Sequence, residues 1–255
     1  MIVWAIANQK GGVGKTTTAV TLAGLLAQRG LRTLMVDMDP HGSLTSYFGL
    51  DPDSLENSVY QLFQGDVGRE SANALVRQTR FDYLSLMPAS TALVTLDRQL
   101  GAQGGKGLIL HKGLSLIADR FDHVLIDCPP LLGVLMVNAL AACHRLLVPV
   151  QTEFLALKGL ERMLHTIEMI GKARKPELPY TIIPTLFDRR TRASWDSLNA
   201  LREQYPKRLW NGAIPVDSTF REASSRGMPL SLLHPRARGA LAYEALLNTL
   251  VKGGA

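Results

Sequence analysis

Residues 8–18 read Asn-Gln-Lys-Gly-Gly-Val-Gly-Lys-Thr-Thr-Thr. The apolar run from Ile2 to Ala7 comes before this segment and predicts a buried strand. Apolar residues at helical spacing come after it as far as Gln28, and Gly30 ends the predicted helix. A glycine-rich turn between a strand and a helix is typical of phosphate binding, because backbone N–H groups and the positive end of the helix dipole face the turn.

This turn, the phosphate-binding loop (P-loop), also supplies side-chain ligands. Lys15 would reach the β- and γ-phosphates, and the Thr16 hydroxyl would bind Mg²⁺. The spacing departs from the usual pattern G-x-x-x-x-G-K-[ST], since Gln9 replaces the first glycine and an additional lysine, Lys10, precedes the others. The alternative is a turn that is rich in glycine and lysine by chance. The predicted nucleotide-binding residues of the loop are Gly11, Gly12, Val13, Gly14, Lys15, Thr16 and Thr17.

Two further predicted strands end in carboxylates. One runs from Arg32 into Asp37-Met38-Asp39-Pro40, and the other runs from His123 into Asp127-Cys128-Pro129-Pro130. Ligands of open parallel sheets bind at the carboxyl edge of the strands. Strand alternation predicts Asp37 and Asp39 on one side, near the metal and an attacking water, and Asp127 fits a residue that orients Mg²⁺-bound water. The alternative for the first pair is a cap on the following helix.

These motifs carry a family resemblance. Lys10 to Thr17, with the D-x-D-P and D-C-P-P segments, resembles the deviant Walker A ATPases of the ParA/MinD family, which are partition and positioning proteins. The resemblance covers nearly the whole chain. It implies a P-loop NTPase of the α/β class, with a mostly parallel twisted sheet flanked by helices on both faces, as a single domain over residues 1–255. It also implies ATP and Mg²⁺ as cofactors, and slow, dimer-dependent hydrolysis of ATP to ADP and phosphate.

The resemblance also implies roles for single residues. Asp39 would position or activate the water, while Asp37 would support the Mg²⁺ shell with Thr16 and Asp127. Lys10 would cross a dimer interface and touch the partner's nucleotide, where a cation stabilises the transferring phosphoryl group. Glu153 would meet the partner's Lys10, or would only complement a helix dipole. The implied catalytic residues are Lys10, Lys15 and Asp39, and the implied adenine contacts are Phe187, Pro215, Val216 and Asp217.

One departure suggests a branch of the family. Members usually have glutamine and glycine after the proline, whereas this chain has His41-Gly42-Ser43. That form resembles the branch associated with chemotaxis clusters, often called ParC. The implied cargo is a chemosensory array at the cell pole or a plasmid or chromosome locus, with a ParB- or ParP-like partner protein. The sequence assigns no role to His41.

Positive charge is concentrated late in the chain. Residues 1–149 hold 12 Lys and Arg against 12 Asp and Glu, whereas residues 150–255 hold 16 against 10, which accounts for the net charge of +6. Such asymmetry favours an anionic partner such as DNA bound without sequence preference, although a solvated basic surface is the alternative. DNA-binding relatives carry arginines where Val216 and Thr219 stand, which weakens this interpretation. The candidate DNA contacts are Arg190, Arg221, Arg236 and Arg238.

Composition and the remaining patterns limit the function. A hydrophobic fraction of 46% and a charged fraction of 20% are typical of a globular protein. The two cysteines predict buried thiols, which are typical of a protein in the reducing cytoplasm. The family resemblance implies a location at the cell pole or the nucleoid. No apolar run reaches membrane-spanning length, and a MinD- or FlhG-like membrane cycle ranks below partition. A synthetase of the cobyrinate or dethiobiotin type and an ATP-binding scaffold are the other rivals.

Less regular segments receive simpler assignments. Apolar spacing predicts helices over Leu55–Phe63, Leu108–Asp119 and Glu153–Gly171. Phe81–Pro88 is predicted as a strand that runs into a loop. The glycine-rich segment Gly101–Gly107 follows no strand and is predicted to be a flexible connection.

Overall fold

The computed structural model describes residues 1–100, 107–171 and 177–252. Most of the predicted flexible connection, residues 101–106, lies outside these ranges. The strands are β1 Ile2–Ile6, β2 Thr33–Asp37, β3 Arg77–Gln78, β4 Leu84–Met87, β5 His123–Asp127, β6 Arg145–Gln151 and β7 Tyr180–Thr185. The α-helices are α1 Lys15–Gln28, α2 Ser43–Tyr47, α3 Arg69–Ala74, α4 Leu93–Leu100, α5 Ile109–Ser115, α6 Val134–Ala142, α7 Phe154–Gly171, α8 Arg192–Gln204, α9 Thr219–Ser225, α10 Leu230–Leu233 and α11 Arg238–Lys252.

The strands form one sheet in the order β3-β4-β2-β5-β1-β6-β7. Every neighbouring pair is parallel except β3 with β4. The register aligns Ile6 and Asp37 with Asp127, so β1, β2 and β5 end at the same edge of the sheet. The mostly parallel sheet predicted from the sequence is confirmed, and its carboxyl edge gathers the P-loop and the loops that carry the carboxylates.

Helices cover both faces of this sheet. Alternate residues of β1 belong to different apolar clusters, Val3 and Ala5 to one, and Trp4 and Ile6 to the other. The first cluster includes side chains of α5, α6 and α7, and the second includes side chains of α1 and α11. Both cysteines are free and buried. Within the described ranges, no helix is both long and apolar enough to cross a membrane.

Several boundaries differ from the predicted ones. β4 begins only at Leu84, because Tyr83 adopts a left-handed φ of 61° that is incompatible with a strand. The helix predicted over Leu108–Asp119 is instead α5 followed by a 3₁₀ helix over Ala118–Arg120. Leu55–Phe63 contains only a 3₁₀ helix, which starts at Val59 after the capping residue Ser58.

Candidate active site

The loop between β1 and α1 leaves space for phosphate groups. Gly12 and Gly14 have left-handed φ angles of 72° and 93°, which L side chains rarely adopt. A Cβ atom on Gly11, Gly12 or Gly14 would have no heavy atom within 4 Å. Among the described residues, no side chain caps the first N–H groups of α1. These donors and the helix dipole are therefore available to an anion.

Asn8 and Lys15 fix the form of the loop. The Asn8 Nδ2 group donates to the Pro149 carbonyl at 2.7 Å, and its Oδ1 atom accepts from the Lys10 N–H at 2.9 Å. The Lys15 side chain is largely buried, and its Nζ group donates to the Lys10 carbonyl at 3.2 Å. The ammonium group thus lies against the loop, where a phosphate oxygen would replace the carbonyl as a stronger, charged acceptor.

Thr16 and Asp127 form a donor set that fits Mg²⁺. The Thr16 hydroxyl donates to Asp127 Oδ2 at 2.6 Å. The Asp127 side chain is buried, and its other oxygen, Oδ1, accepts no hydrogen bond from the described residues. Burial, reinforced by the neighbouring Asp37 carboxyl, raises the pKa of Asp127. Mg²⁺ is held by one or two carboxylates together with phosphate oxygens and water, so the two residues suit a metal that a nucleotide would share.

Asp37 holds the turn after β2. Its Oδ1 atom accepts from the Asp39 N–H at 3.1 Å, and its Oδ2 atom accepts from the N–H and hydroxyl of Thr45 at 2.8 and 2.7 Å. Burial raises the pKa of Asp37 to about 7, although these hydrogen bonds favour the charged form. Because both oxygens are engaged within the chain, the expected Mg²⁺ contact of Asp37 stays a prediction.

Asp39 lies in the turn after β2 and not in the strand itself. β2 ends at Asp37, so the strand alternation used to predict the side of Asp39 does not apply, and that argument was wrong. Asp39 Oδ1 accepts from the His41 N–H at 3.0 Å, and His41 Nδ1 lies 2.8 Å from the same oxygen. Asp39 Oδ2 accepts no hydrogen bond from the described residues. That oxygen is therefore available to a water molecule.

Lys10 is bound within its own chain. Its ammonium group pairs with Glu153 and donates to Gln151 Oε1 at 3.3 Å. The side chains of Lys10 and Glu153 are 32% and 39% exposed. The sequence predicted that Glu153 meets the partner's Lys10, whereas in the single chain the same two residues meet in cis. The contact between subunits stays a prediction.

The loop that holds Phe187 and the loop that holds Pro215 to Asp217, which together contain the predicted adenine contacts, lie side by side next to the P-loop. The N–H of Phe187 donates to the Ile214 carbonyl, and the N–H of Val216 donates to the Phe187 carbonyl, both at 3.0 Å. Phe187 and Pro215 form the bridge between the two loops. The hydroxyl of Thr185 donates to the Val13 carbonyl at 2.8 Å, which joins them to the P-loop.

Asp217 differs from the other predicted adenine contacts. One of its carboxylate oxygens accepts from the N–H and hydroxyl of Thr219, and the other accepts from the Gly239 N–H. Its side chain is therefore occupied by the starts of α9 and α11. The contact of Asp217 with adenine stays a prediction.

Comparison with known proteins places the chain in a family. Residues 1–180 match a family model described as an AAA domain. A chromosome partitioning protein ParA from Myxococcus xanthus is 36% identical over 248 residues, which is 97% of this chain and 87% of that protein. The sporulation initiation inhibitor protein Soj from Bacillus subtilis is 34% identical, and the match covers 98% of each chain. The chain belongs to the ParA/Soj family of ATPases.

A similar solved structure contains a nucleotide and a metal ion of the kind expected for this family. A cobyrinic acid a,c-diamide synthase from Mycobacterium smegmatis, with a bound ATP analog and magnesium, is 35% identical to this chain. The TM-score is 0.85, with 99% of this chain and 95% of that chain covered. ATP and Mg²⁺ are the cofactors of the ParA-family site, and the P-loop, Thr16 and Asp127 are the residues of this chain that fit them.

The arginines predicted to contact DNA have different surroundings. Arg190 pairs with Asp188 at 2.7 Å, which holds it in the loop before α8. Arg221, Arg236 and Arg238 are exposed. α9, α10 and α11, which begin near them, share a small apolar cluster. These three arginines therefore lie on adjoining elements, apart from Arg190.

Three residues of the ParA-family site were missed at the level of sequence. Asn8 orders the P-loop, Gln151 binds Lys10, and Thr45 holds Asp37. Asn8 lies two residues before Lys10 at the start of the loop, and Gln151 ends a strand at the ligand edge, so their positions were usable signals. Thr45 lies eight residues beyond Asp37 in a short helix, and no spacing rule connects the two.

Proposed function

We propose that this ParA-family ATPase forms an ATP-dependent homodimer in which two P-loops face each other. ATP binds the dimeric state more tightly and so shifts the population towards it. Slow hydrolysis to ADP and phosphate, conditional on the dimer, reopens it. The cycle positions or segregates an intracellular cargo.

One observation carries this proposal, an exposed apolar rim beside the P-loop. Leu131 and Leu132, which follow β5, are 70% and 47% exposed, and Phe154 and Leu155, which follow β6, are 69% and 71% exposed. β5 and β6 flank β1 in the sheet, so the loop after β5 and the start of α7 lie at the same edge as the P-loop. Exposed apolar groups around a polar site are typical of an interaction surface, and a second copy would cover them by a two-fold contact.

In the proposed dimer, each ATP site combines residues of one subunit with a lysine of the other. Lys15 and the loop N–H groups bind the phosphates, Thr16 and Asp127 hold the metal with support from Asp37, and Asp39 Oδ2 orients the attacking water. Lys10 leaves Glu153 and reaches the partner's phosphates, where its charge stabilises the transition state. A site completed by a partner makes hydrolysis depend on dimerisation.

We extend the proposal to the cell. The names of the relatives favour a chromosome or plasmid locus as cargo, bound through a ParB-like partner, and the histidine after Pro40 favours a chemosensory array with a ParP-like partner. Either role belongs in the cytoplasm, at the nucleoid or the cell pole. We also propose that residues 1–255 act as one domain. The buried hydrogen bond between the Thr18 and Tyr243 hydroxyls, 2.7 Å long, joins the first helix to the last.

A second function is favoured by one comparison. The cobyrinic acid a,c-diamide synthase has 35% identity and a TM-score of 0.85, so a synthetase that activates a carboxylate with ATP is the rival. A synthetase would turn over ATP only with its small-molecule substrate. A partition ATPase would hydrolyse ATP in proportion to dimer formation, so the dependence of the rate on protein concentration separates the two.

The test of the dimer is complementation between two inactive variants. Lys10→Ala keeps Asp39, and Asp39→Ala keeps Lys10. In a mixed dimer, one site has an intact Asp39 together with the partner's intact Lys10. If half of the dimers are mixed and each has one complete site, about a quarter of the wild-type turnover should return.

The matched control replaces Lys10→Ala with Lys15→Ala. Lys15 acts in cis, so its mixture with Asp39→Ala should stay inactive. Mixed dimers must be demonstrated with two different affinity tags. Absence of recovery in tagged Lys10→Ala/Asp39→Ala dimers would contradict a lysine that acts across the interface.

A further inference from the structure

A second cavity lies apart from the P-loop. It has a volume of about 480 Å³ and is lined by the end of α2, by β3 and the turn that follows it, and by the turn between α9 and α10. Neither the P-loop nor Asp37, Asp39 or Asp127 lines it. β3 is the strand at one edge of the sheet, so this cavity is distinct from the ATP site.

The lining carries positive charge that its own residues do not neutralise. Arg77, Arg80 and Arg226 line the cavity, and none of the described lining residues is Asp or Glu. Arg226 pairs with Glu222 at 2.8 Å, whereas Arg77 and Arg80 form no ion pair within the described ranges. The Arg77 Nε atom is buried and has no hydrogen-bond partner there. A buried donor without an acceptor is rare in proteins and needs an explanation, such as a missing ion or ligand.

The remaining lining is partly aromatic and apolar. Tyr47 and Phe48 lie with their ring centroids 5.4 Å apart, and Leu50 and Leu86 are also part of the lining. Sites for small molecules combine a largely apolar surface with a few polar groups in a volume of this order. Guanidinium groups bind phosphate with two parallel hydrogen bonds. The cavity therefore suits a molecule with a phosphate at one end and a planar apolar group at the other.

We propose that this cavity is a binding site for a small organic phosphate of nucleotide size. The phosphate binds Arg77 and Arg80, and the planar group lies against Tyr47 and Phe48. The acceptor that the Arg77 Nε group lacks is then a phosphate oxygen. This proposal does not depend on the dimer cycle.

Occupancy of the cavity acts on the ATP site through α2. Thr45, which binds Asp37, lies two residues before Tyr47 in the same helix. The Tyr47 hydroxyl donates to the Met228 carbonyl at 2.8 Å, and Arg80 donates to the Gly227 carbonyl at 3.2 Å. The cavity thus connects α2, the helix that holds Asp37, to the turn between α9 and α10. By linkage, the ligand and ATP change each other's affinity by the same factor.

The test uses phenyl phosphate as the probe, titrated by calorimetry into the protein saturated with Mg²⁺ and ADP, so that the P-loop is already filled. We expect saturable binding that is tighter than that of inorganic phosphate or phenol alone. Arg77→Gln should weaken the binding of phenyl phosphate by about tenfold or more, since it removes a charged donor pair. Because the Arg77 side chain has no described partner, the variant should fold normally, which an unchanged ADP affinity would verify.

The matched control is Arg202→Gln, which removes the same charge on α8, after the strand at the opposite edge of the sheet. It should bind phenyl phosphate as the wild type does. Lys15→Ala without ADP should bind it too, because the proposed site does not use the P-loop.

Four outcomes would overturn the proposal. These are no saturable binding, equal binding by Arg77→Gln and wild type, equal affinity for inorganic phosphate, and displacement of the probe by short duplex DNA. The last outcome would make the arginines a contact for nucleic acid. None of them bears on complementation between Lys10→Ala and Asp39→Ala, so the two proposals fail separately.

Discussion

His41 touches the residue on which ATP hydrolysis is proposed to depend. Its ring and its N–H both engage Asp39 Oδ1, which restrains the rotation of the carboxylate. The His41 side chain is 77% exposed and the Asp39 side chain only 14%. We therefore expect the imidazole to act as a positioning group for Asp39.

His41→Ala should lower the rate of hydrolysis and leave ATP affinity unchanged. Loss of one hydrogen bond of about 1 kcal/mol corresponds to a roughly fivefold lower kcat. Single-turnover hydrolysis and a separate measurement of ATP binding check this. His41→Asn, whose amide can donate to Asp39, should recover part of the rate. An unchanged kcat for His41→Ala would show that the backbone turn alone positions Asp39.

The P-loop residues could be predicted because their roles follow from backbone geometry and charge within one short segment. Gly12 and Gly14 adopt the left-handed φ expected of glycines in such a loop, and Lys15 lies against the loop, while their contacts with phosphate stay predictions. The binding partner of the Lys10 ammonium group could not be predicted from the sequence. Whether its ammonium group binds Glu153 of the same chain or a partner's nucleotide depends on assembly, which sequence spacing does not encode.

At the level of elements, β2 and β5 are tied together where they begin. The N–H of Arg32 donates to Asp122 Oδ2 at 2.8 Å, and its guanidinium group pairs with Asp122 Oδ1 at 2.8 Å. These contacts with Arg32 lower the pKa of Asp122 to about 2. The ion pair therefore connects two central strands at the edge opposite the ATP site.

Asp122→Asn should destabilise the protein at neutral pH by under about 1 kcal/mol, since the pair is largely exposed. A lowered carboxyl pKa stabilises the fold above the unfolded value near 4, and that contribution is lost as pH falls through about 2. The difference in urea midpoint between the variant and the wild type should therefore shrink over this range. Asp82→Asn, at an exposed aspartate that forms no ion pair within the described ranges, is the control. A difference that does not change with pH would contradict the ion pair as its source.

Strands with a strong apolar pattern could be predicted from the sequence. A short strand at the edge of the sheet, and a strand boundary set by the backbone conformation of one residue, could not. β1, β2, β5 and β6 are buried runs whose length and polarity fit a central parallel strand. β3 has two residues and, among the described strands, pairs with β4 alone, so it has no periodicity to detect. The late start of β4 depends on the left-handed Tyr83, for which the sequence offers no glycine as a signal.

At the scale of the whole molecule, the excess positive charge favours weak DNA binding that requires ATP. Arg221, Arg236 and Arg238 are exposed, and a dimer would bring two copies together. Three phosphate contacts per subunit predict a slope of log affinity against log salt of about −5. The family resemblance implies arginines at the positions of Val216 and Thr219 in members that bind DNA, so we expect the affinity of this chain to be low.

The measurement is DNA binding by the ATP-loaded Asp39→Ala dimer across a salt series. Arg236→Ala/Arg238→Ala should reduce the magnitude of the slope by roughly 3 to 4, and Arg202→Ala should leave it unchanged. A flat salt response, or equal binding with and without ATP, would remove DNA as a partner and leave a partner protein to position the ATPase.

The central place of β1 in the sheet affects how the protein folds while it is being translated. β1 is translated well before its two neighbours in the sheet, β5 and β6, which end at Asp127 and Gln151. The chain must therefore be translated as far as Gln151 before β1 is enclosed on both sides. Until then its apolar side chains stay uncovered, and parallel pairing between distant segments is slow. A nascent chain that stalls before residue 151 would carry the complete P-loop sequence without a P-loop structure, and would be a substrate for chaperones before it could bind any nucleotide.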